Sequence, residues 1–227
     1  MNEKIVLVSG AAGNLGSAVV EYFLEEGCRV IGLVHRATGR ARAEEKYSEF
    51  ALDLLDEKAI QNCINGIIKK QGQINIAVLT VGGFTLGTLE KTSMQDLNHL
   101  IRLNFETAYN LARPVLAEMK KYKSGKLFFI GSLKGLDTST GKGTVAYSLS
   151  KSLLLQLTNI INADTKGSAV SAYYVAPSTI DTPQNREAMP EADFSNWEKP
   201  SQIAEIIGRY AKVTKENRKI VIQDEMQ

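Results

Sequence analysis

VLVSGAAGNLGSAVVEYF, residues 6–23, joins a strand to a helix through three glycines. A β-prone run leads into Gly10, Gly13 and Gly16, while Leu15, Ala18, Val19 and Tyr22 recur at helical spacing. Such a turn gathers backbone N–H groups at a helix N-terminus, where a phosphate can be held. Gly10 permits the tight turn, Gly13 lets the amides approach a pyrophosphate, and Gly16 lets the helix lie close to the sheet. Asn14 and Leu15, at the entry to the helix, complete the candidate nucleotide contacts of this segment.

Outward from this unit, strand-like and helix-like stretches alternate. Short β-rich runs at 5–9, 30–34, 50–52, 74–80, 127–130, 170–175 and 219–222 make seven candidate strands. Between them Ile60, Cys63, Ile64 and Ile67, then Ile203, Ile206, Ile207 and Tyr210, read as crossover helices. Right-handed crossovers imply an α/β fold: a Rossmann-type, doubly wound, parallel seven-stranded sheet with helices on both faces, expected to be one domain over 1–227. Its ligand site should lie beyond the carboxyl ends of the strands. Residues 92–122 read as one long helix or two abutting ones, with Leu97, Ile101, Phe105, Ala108, Leu111 and Ala112 as the buried stripe.

With Lys and Arg at 27 against 25 for Asp and Glu, the net charge of +2 gives no general attraction to nucleic acid or an anionic membrane. No apolar run reaches membrane-spanning length, and MNEKIVLVSG is too short and strand-like for a signal peptide, so a cytoplasmic protein is expected. Cys28 and Cys63 have neither metal-ligand nor disulfide-framework spacing and read as buried or half-buried small residues. His35 and His99 lack a second ligand at metal spacing; neither is assigned chemistry, and no metal is expected.

Enzymes that prefer NAD commonly place an acid about 20 residues after the glycine turn to receive the ribose 2′-hydroxyl. Here that stretch is Val34, His35 and Arg36. A guanidinium in place of a carboxylate favours NADP, with NAD as the alternative cofactor. Equally, Arg36, Arg40 and Arg42 could form a solvated basic loop. Asp53, which closes the third candidate strand beside Leu54, could accept a hydrogen bond from adenine or cap a helix. Both readings stay open.

Tyr147 and Lys151 stand four residues apart in AYSLSKSLLLQL, on one face of a helix. A lysine cation beside a phenol favours the phenolate, so Tyr147 can exchange a proton with a carbonyl oxygen. Ser132, after the fifth strand, can hold that oxygen. By itself the pair would be a helix-surface contact, but the serine and the glycines converge on the same sheet edge. The helix is apolar on more than one side, through Leu149, Leu153, Leu154, Leu155, Leu157 and Ile160, which fits either a partner copy or a deeper monomer core.

These motifs together resemble the short-chain dehydrogenase/reductase family over nearly the whole chain. The resemblance rests on Gly10, Gly13, Gly16, Asp53, Asn104 in IRLNFETAYN, Ser132 in IGSLKG, and Tyr147 with Lys151. It implies that Asn104 holds a water linked to the lysine. In VAPSTIDTP, Pro177 and Thr182 match, Thr182 being placed to bind the nicotinamide carboxamide, while Ser178 replaces a glycine. In LTVGGF, Thr80 and Val81 replace asparagines and Gly83 is kept. A narrower resemblance, through GKGTVAYSLSK and DTPQNREAMPEADFSNW, is to the dihydropteridine reductases, many of which lack the serine present here as Ser132.

Residues 181–197 show no helical period and span the place where the family closes over substrate; Met189 and Phe194 are the expected substrate contacts, with Trp197 pinning the loop. The expectation is an NADP(H)-dependent oxidoreductase that reduces a small carbonyl or imine-like substrate with Tyr147 as proton donor. Reduction of a quinonoid dihydropterin and a noncatalytic NADP-binding sensor or scaffold are the alternatives. The family resemblance also implies a homodimer or homotetramer.

Overall fold

The structure, a computed structural model, describes residues 1, 3–39, 46–213 and 216–226. Seven parallel strands stand in the order β3-β2-β1-β4-β5-β6-β7: β1 Ile5–Ser9, β2 Arg29–Val34, β3 Tyr47–Ala51, β4 Ile76–Leu79, β5 Ser124–Ile130, β6 Ala169–Ala176 and β7 Lys219–Val221. The order reverses beside β1, whose neighbours are β2 and β4, and that reversal opens the crevice of a doubly wound sheet. The helices are α1 Asn14–Glu25, α2 Glu57–Gln71, α3 Met94–Ile101, α4 Thr107–Lys121, α5 Leu133–Leu136, α6 Val145–Asp164, α7 Pro183–Ala188, α8 Pro200–Lys212 and α9 Ile222–Glu225.

Alternation along each strand feeds two cores. Ile5 and Leu7 of β1 join Ile60, Ile64, Leu111, Val115, Leu154 and Leu155 on one face, so α2, α4 and α6 cover it. Val6 and Val8 join Val19, Phe23, Ile203, Ile207 and Tyr210 under α1 and α8 on the other.

Several boundaries differ from those read in the sequence. β5 begins three residues earlier, because the Lys126 charge that obscured the strand is absorbed by the carbonyls of Tyr210, Ala211 and Val213. β4 stops at Leu79: Thr80 leaves the ladder and donates from Oγ1 to Ser9 O at 2.7 Å. Ahead of it, Ile74 is buried without being in the strand. β3 ends at Ala51, so Asp53 lies beyond the strand instead of closing it. Residues 94–121 are continuous helix, interrupted by a π turn at Arg102–Glu106. That wider turn brings Asn104 inward: Leu100, Asn104 and Thr107 join Ala108, Leu111 and Ala112 as buried residues, while Leu97, Ile101 and Phe105 are half-buried. Cys28 is buried and Cys63 half-buried. No helix among the described residues is long and apolar enough to cross a membrane.

Candidate active site

At the carboxyl end of β1 the chain turns through Gly10, which has φ +63°. A Cβ on Gly16 would fall 2.0 Å from Gly10 O, so only glycine allows α1 to start this close to the turn. Gly13 precedes the helix and donates its N–H to Gly10 O at 2.8 Å. Leu15 is buried, and Asn14 donates from Nδ2 to Gln184 Oε1 at 2.7 Å, spanning the crevice to α7. Beside the turn lies a cleft of about 890 Å³ whose walls include Gly10, Val34, Asp53, Leu54 and Val81.

His35 and His99, to which the sequence assigned nothing, also line this cleft. Asp53 accepts the Leu55 N–H at 2.9 Å and still faces the cleft, whereas the capping carboxylate of α2 is Asp56. Arg36 is exposed after β2; Arg40 and Arg42 lie outside the described residues.

The chemical residues gather at the carboxyl ends of β4 and β5. Lys151 is 5 % exposed and donates from Nζ to Ile130 O at 2.8 Å. Burial lowers its pKa to about 8. Its Nζ lies 5.9 Å from the centroid of the Tyr147 ring. Burial raises the Tyr147 phenol, and the neighbouring Ser132 hydroxyl pulls it partly back. The downward pull on the phenol comes here from the serine, and burial outweighs it.

Asn104 is fully buried in the π turn. Its Oδ1 accepts the Gly83 N–H at 2.7 Å, and Nδ2 donates to Gly83 O at 3.1 Å and Ser150 Oγ at 2.9 Å. A Cβ on Gly82 would meet Asn104 Oδ1 at 2.8 Å and Lys151 Nζ at 3.0 Å, so the asparagine and the lysine flank one bare glycine. Gly83 is thus braced by Asn104 and is not among the residues lining the large cleft.

Sequence reading missed Tyr174. This fully buried β6 residue accepts the Ser132 N–H at 3.0 Å and donates to Ser132 O at 2.9 Å, fixing the serine's backbone. A Cβ on Gly131 would fall 2.0 Å from its ring, which explains the glycine of IGSLKG. Phe84 was missed as well. Its ring meets Tyr147 edge-on at 4.9 Å and is 49 % exposed, and its signal is an aromatic residue directly after the glycines that follow β4.

Residues 181–197 are more ordered than their pattern implied, with α7 and a short 3-10 turn at Phe194–Asn196. Pro183 at the first position of α7 and the Thr182 cap, which accepts the Asn185 N–H at 3.2 Å, start a helix too short to show a period. Pro177 O accepts the Leu133 N–H at 3.1 Å, joining this segment to the Ser132 turn. Phe194 stacks obliquely on Trp197 at 4.7 Å under the Arg186 guanidinium, while Met189 is exposed. The loop's neck closes on Glu198, a buried carboxylate that accepts from Ser178 N at 2.8 Å and Oγ at 3.0 Å.

A doubly wound sheet with a glycine turn at one side of its crevice and a serine, tyrosine and lysine at the other defines an oxidoreductase that uses a nicotinamide nucleotide. Residues 4–193 match the family model described as short chain dehydrogenase, and the chain belongs to that family. It is therefore an enzyme, and the sensor or scaffold alternative gives way. Over 183 residues it is 28% identical to a 3-oxoacyl-[acyl-carrier-protein] reductase of Vibrio harveyi, covering 79% of this chain and 74% of the relative. It is 27% identical to an acetoacetyl-CoA reductase of Acinetobacter over 190 residues, covering 80% and 76%. Among solved structures, gox2181 superposes with TM-score 0.88 at 22% identity over 97% of this chain and 94% of the other. ElxO with NADP bound superposes with TM-score 0.85 at 23% identity over 96% of each, a likeness of fold.

Proposed function

We propose that the enzyme reduces a small carbonyl or imine-like substrate with NADP(H), Tyr147 delivering the proton. The observation that carries this reading is that Ser132, Tyr147 and Lys151 meet beside one crevice, with the buried Lys151 Nζ held on Ile130 O and 5.9 Å from the centroid of the Tyr147 ring. The bare glycine turn fits a dinucleotide: Gly10, Gly13, Asn14, Leu15 and Gly16 would hold its pyrophosphate and Asp53 and Leu54 its adenosine half. Pro177 and Thr182 would hold its nicotinamide end, which when bound supplies the hydride.

In this reading Tyr147 gives its proton to the substrate oxygen while Ser132 holds that oxygen by hydrogen bonding. Lys151 stabilises the phenolate left behind. Asn104, with both amide protons already donated, braces the loop and helix on either side of Lys151, and in this reading its Oδ1 holds a water linked to the lysine. Phe84 beside Tyr147 joins Met189 and Phe194 as a candidate substrate wall. Arg36, with no carboxylate at the end of β2, supports NADP.

The relatives' names, 3-oxoacyl-[acyl-carrier-protein] reductase and acetoacetyl-CoA reductase, support a carbonyl substrate over a quinonoid dihydropterin. Ser132→Ala separates the two, since an already electrophilic pterin asks less of the serine. Tyr147→Phe should lower turnover by roughly 10²-fold or more, the scale of a lost general acid, with NADPH binding unchanged. Wild-type rates in that variant would refute the assignment. Leu149 at 45 % exposure and Ile160 at 65 % leave α6 apolar outward, which supports a homodimer or homotetramer, measurable by analytical ultracentrifugation. We also read the enzyme as cytoplasmic.

A further inference from the structure

We infer that Glu49, a carboxylate on β3, is a specificity residue that holds down the preference for NADPH over NADH. The inference rests on the nucleotide reading above but on none of the catalytic residues. Glu49 pairs in register with Gly32 of β2, and its side chain reaches up into the turn after β2. There Oε1 accepts the Thr38 N–H at 2.6 Å, while Oε2 accepts the Thr38 hydroxyl at 2.6 Å and the Tyr47 hydroxyl at 3.4 Å. Burial opposes its ionisation, but the hydrogen bonds from Thr38, Gly39 and Tyr47 outweigh it and hold the carboxyl below its ordinary range.

This carboxylate belongs to the same corner as the glycine turn. The Ala11 N–H donates to Leu33 O at 3.2 Å, seating the turn on the end of β2. Ala11 Cβ and the Tyr47 hydroxyl converge over Gly32, at 2.8 and 2.2 Å from where a Cβ would stand. Between Ala11, Ala12 and Ser17 on one side and Thr38, Gly39 and Glu49 on the other opens a cavity of about 480 Å³.

In a doubly wound fold the adenosine ribose lies over the end of the second strand, where an acid receives the 2′-hydroxyl and repels a 2′-phosphate. Sequence reading looked for that acid at 34–36 and found Arg36. The fold supplies a carboxylate from the neighbouring strand instead, and it already occupies hydrogen-bond donors that a phosphate would use. Glu49 therefore opposes the preference that an arginine after β2 supports.

Fluorescence titration of NADPH and NADH against wild type, Glu49→Gln and Glu49→Ala tests this. Glu49→Gln keeps an acceptor for Thr38 and removes the charge, so the ratio of the NADH to the NADPH dissociation constant should rise at least tenfold. Glu49→Ala should move that ratio in the same direction. An unchanged ratio in Glu49→Gln, or equal weakening of both nucleotides confined to Glu49→Ala, would make the residue a loop pin and overturn the inference. If wild type binds neither nucleotide, the nicotinamide reading itself has failed and this inference falls with it, an outcome separate from an unchanged ratio.

Discussion

Replacing Tyr174 by phenylalanine deletes one oxygen beneath the active site and leaves the ring that fills the space beside Gly131. Two hydrogen bonds go with it, but they are unequal. Ser132 O also accepts the Gly135 N–H at 3.1 Å and the Leu136 N–H at 3.0 Å, so the carbonyl stays satisfied. The Ser132 N–H loses its partner in a buried site, which costs about 1–3 kcal/mol. For a chain of this size each kcal/mol lowers Tm by roughly 2–4 °C, giving a fall of roughly 2–12 °C by calorimetry.

Burial pushes the Tyr174 phenol up, so it keeps its proton at neutral pH and the loss is that of a neutral donor and acceptor. The kinetic effect should be separate from the thermal one. Ser132 neighbours the Tyr147 phenol, and a shift of about 1 Å in a positioning group can cost ~10²-fold in kcat. We therefore expect kcat to fall while the KM for NADPH holds. Unchanged Tm together with unchanged kcat would show that Tyr174 does not hold the serine.

Other outcomes follow from the same geometry. Because burial lowers Lys151 to about 8 while Tyr147 is raised, the free enzyme loses the lysine's charge before the tyrosine's proton; kcat/KM for reduction should be level near neutrality and fall as pH rises through about 8. A profile still level well above that pH would argue against a role for the ammonium. Gly16→Ala forces a Cβ into Gly10 O, and overpacking of this kind costs about 1–3 kcal/mol, so Tm and NADPH affinity should drop together. Glu198→Ala strands the Ser178 N–H at the neck of the 178–198 loop, and loss of its buried acceptor should cost about 1–3 kcal/mol. Limited proteolysis should then cut within 181–197 faster than in wild type; equal rates would deny Glu198 its clasp.

Much of this molecule is legible in order along the chain. Gly10 and Gly16 stand out because the conformations and close approaches they allow are local properties of a strand, turn and helix in succession. Tyr147 and Lys151 are legible because four residues make one helical turn. Other residues escaped because their meaning depends on pairing across the sheet. In AYYVA both tyrosines simply fall within a candidate strand, and only the β5–β6 register, with Phe129 beside Tyr174, brings the Tyr174 hydroxyl under Ser132. Lys126 disguised the start of β5 because its carbonyl partners at the end of α8 are more than 80 positions away.

The chain alone determined the succession of strands and helices and the glycine turn, and it singled out three candidates for proton transfer, since local periodicity and side-chain chemistry carry that information. Tertiary structure decided the environments: a phenol raised by burial and answered by Ser132, a lysine lowered to about 8, and a carboxylate from β3 at the corner where an acid from β2 was sought. Desolvation and hydrogen-bond partners are set by residues distant in sequence, and only the packed sheet brings them into reach.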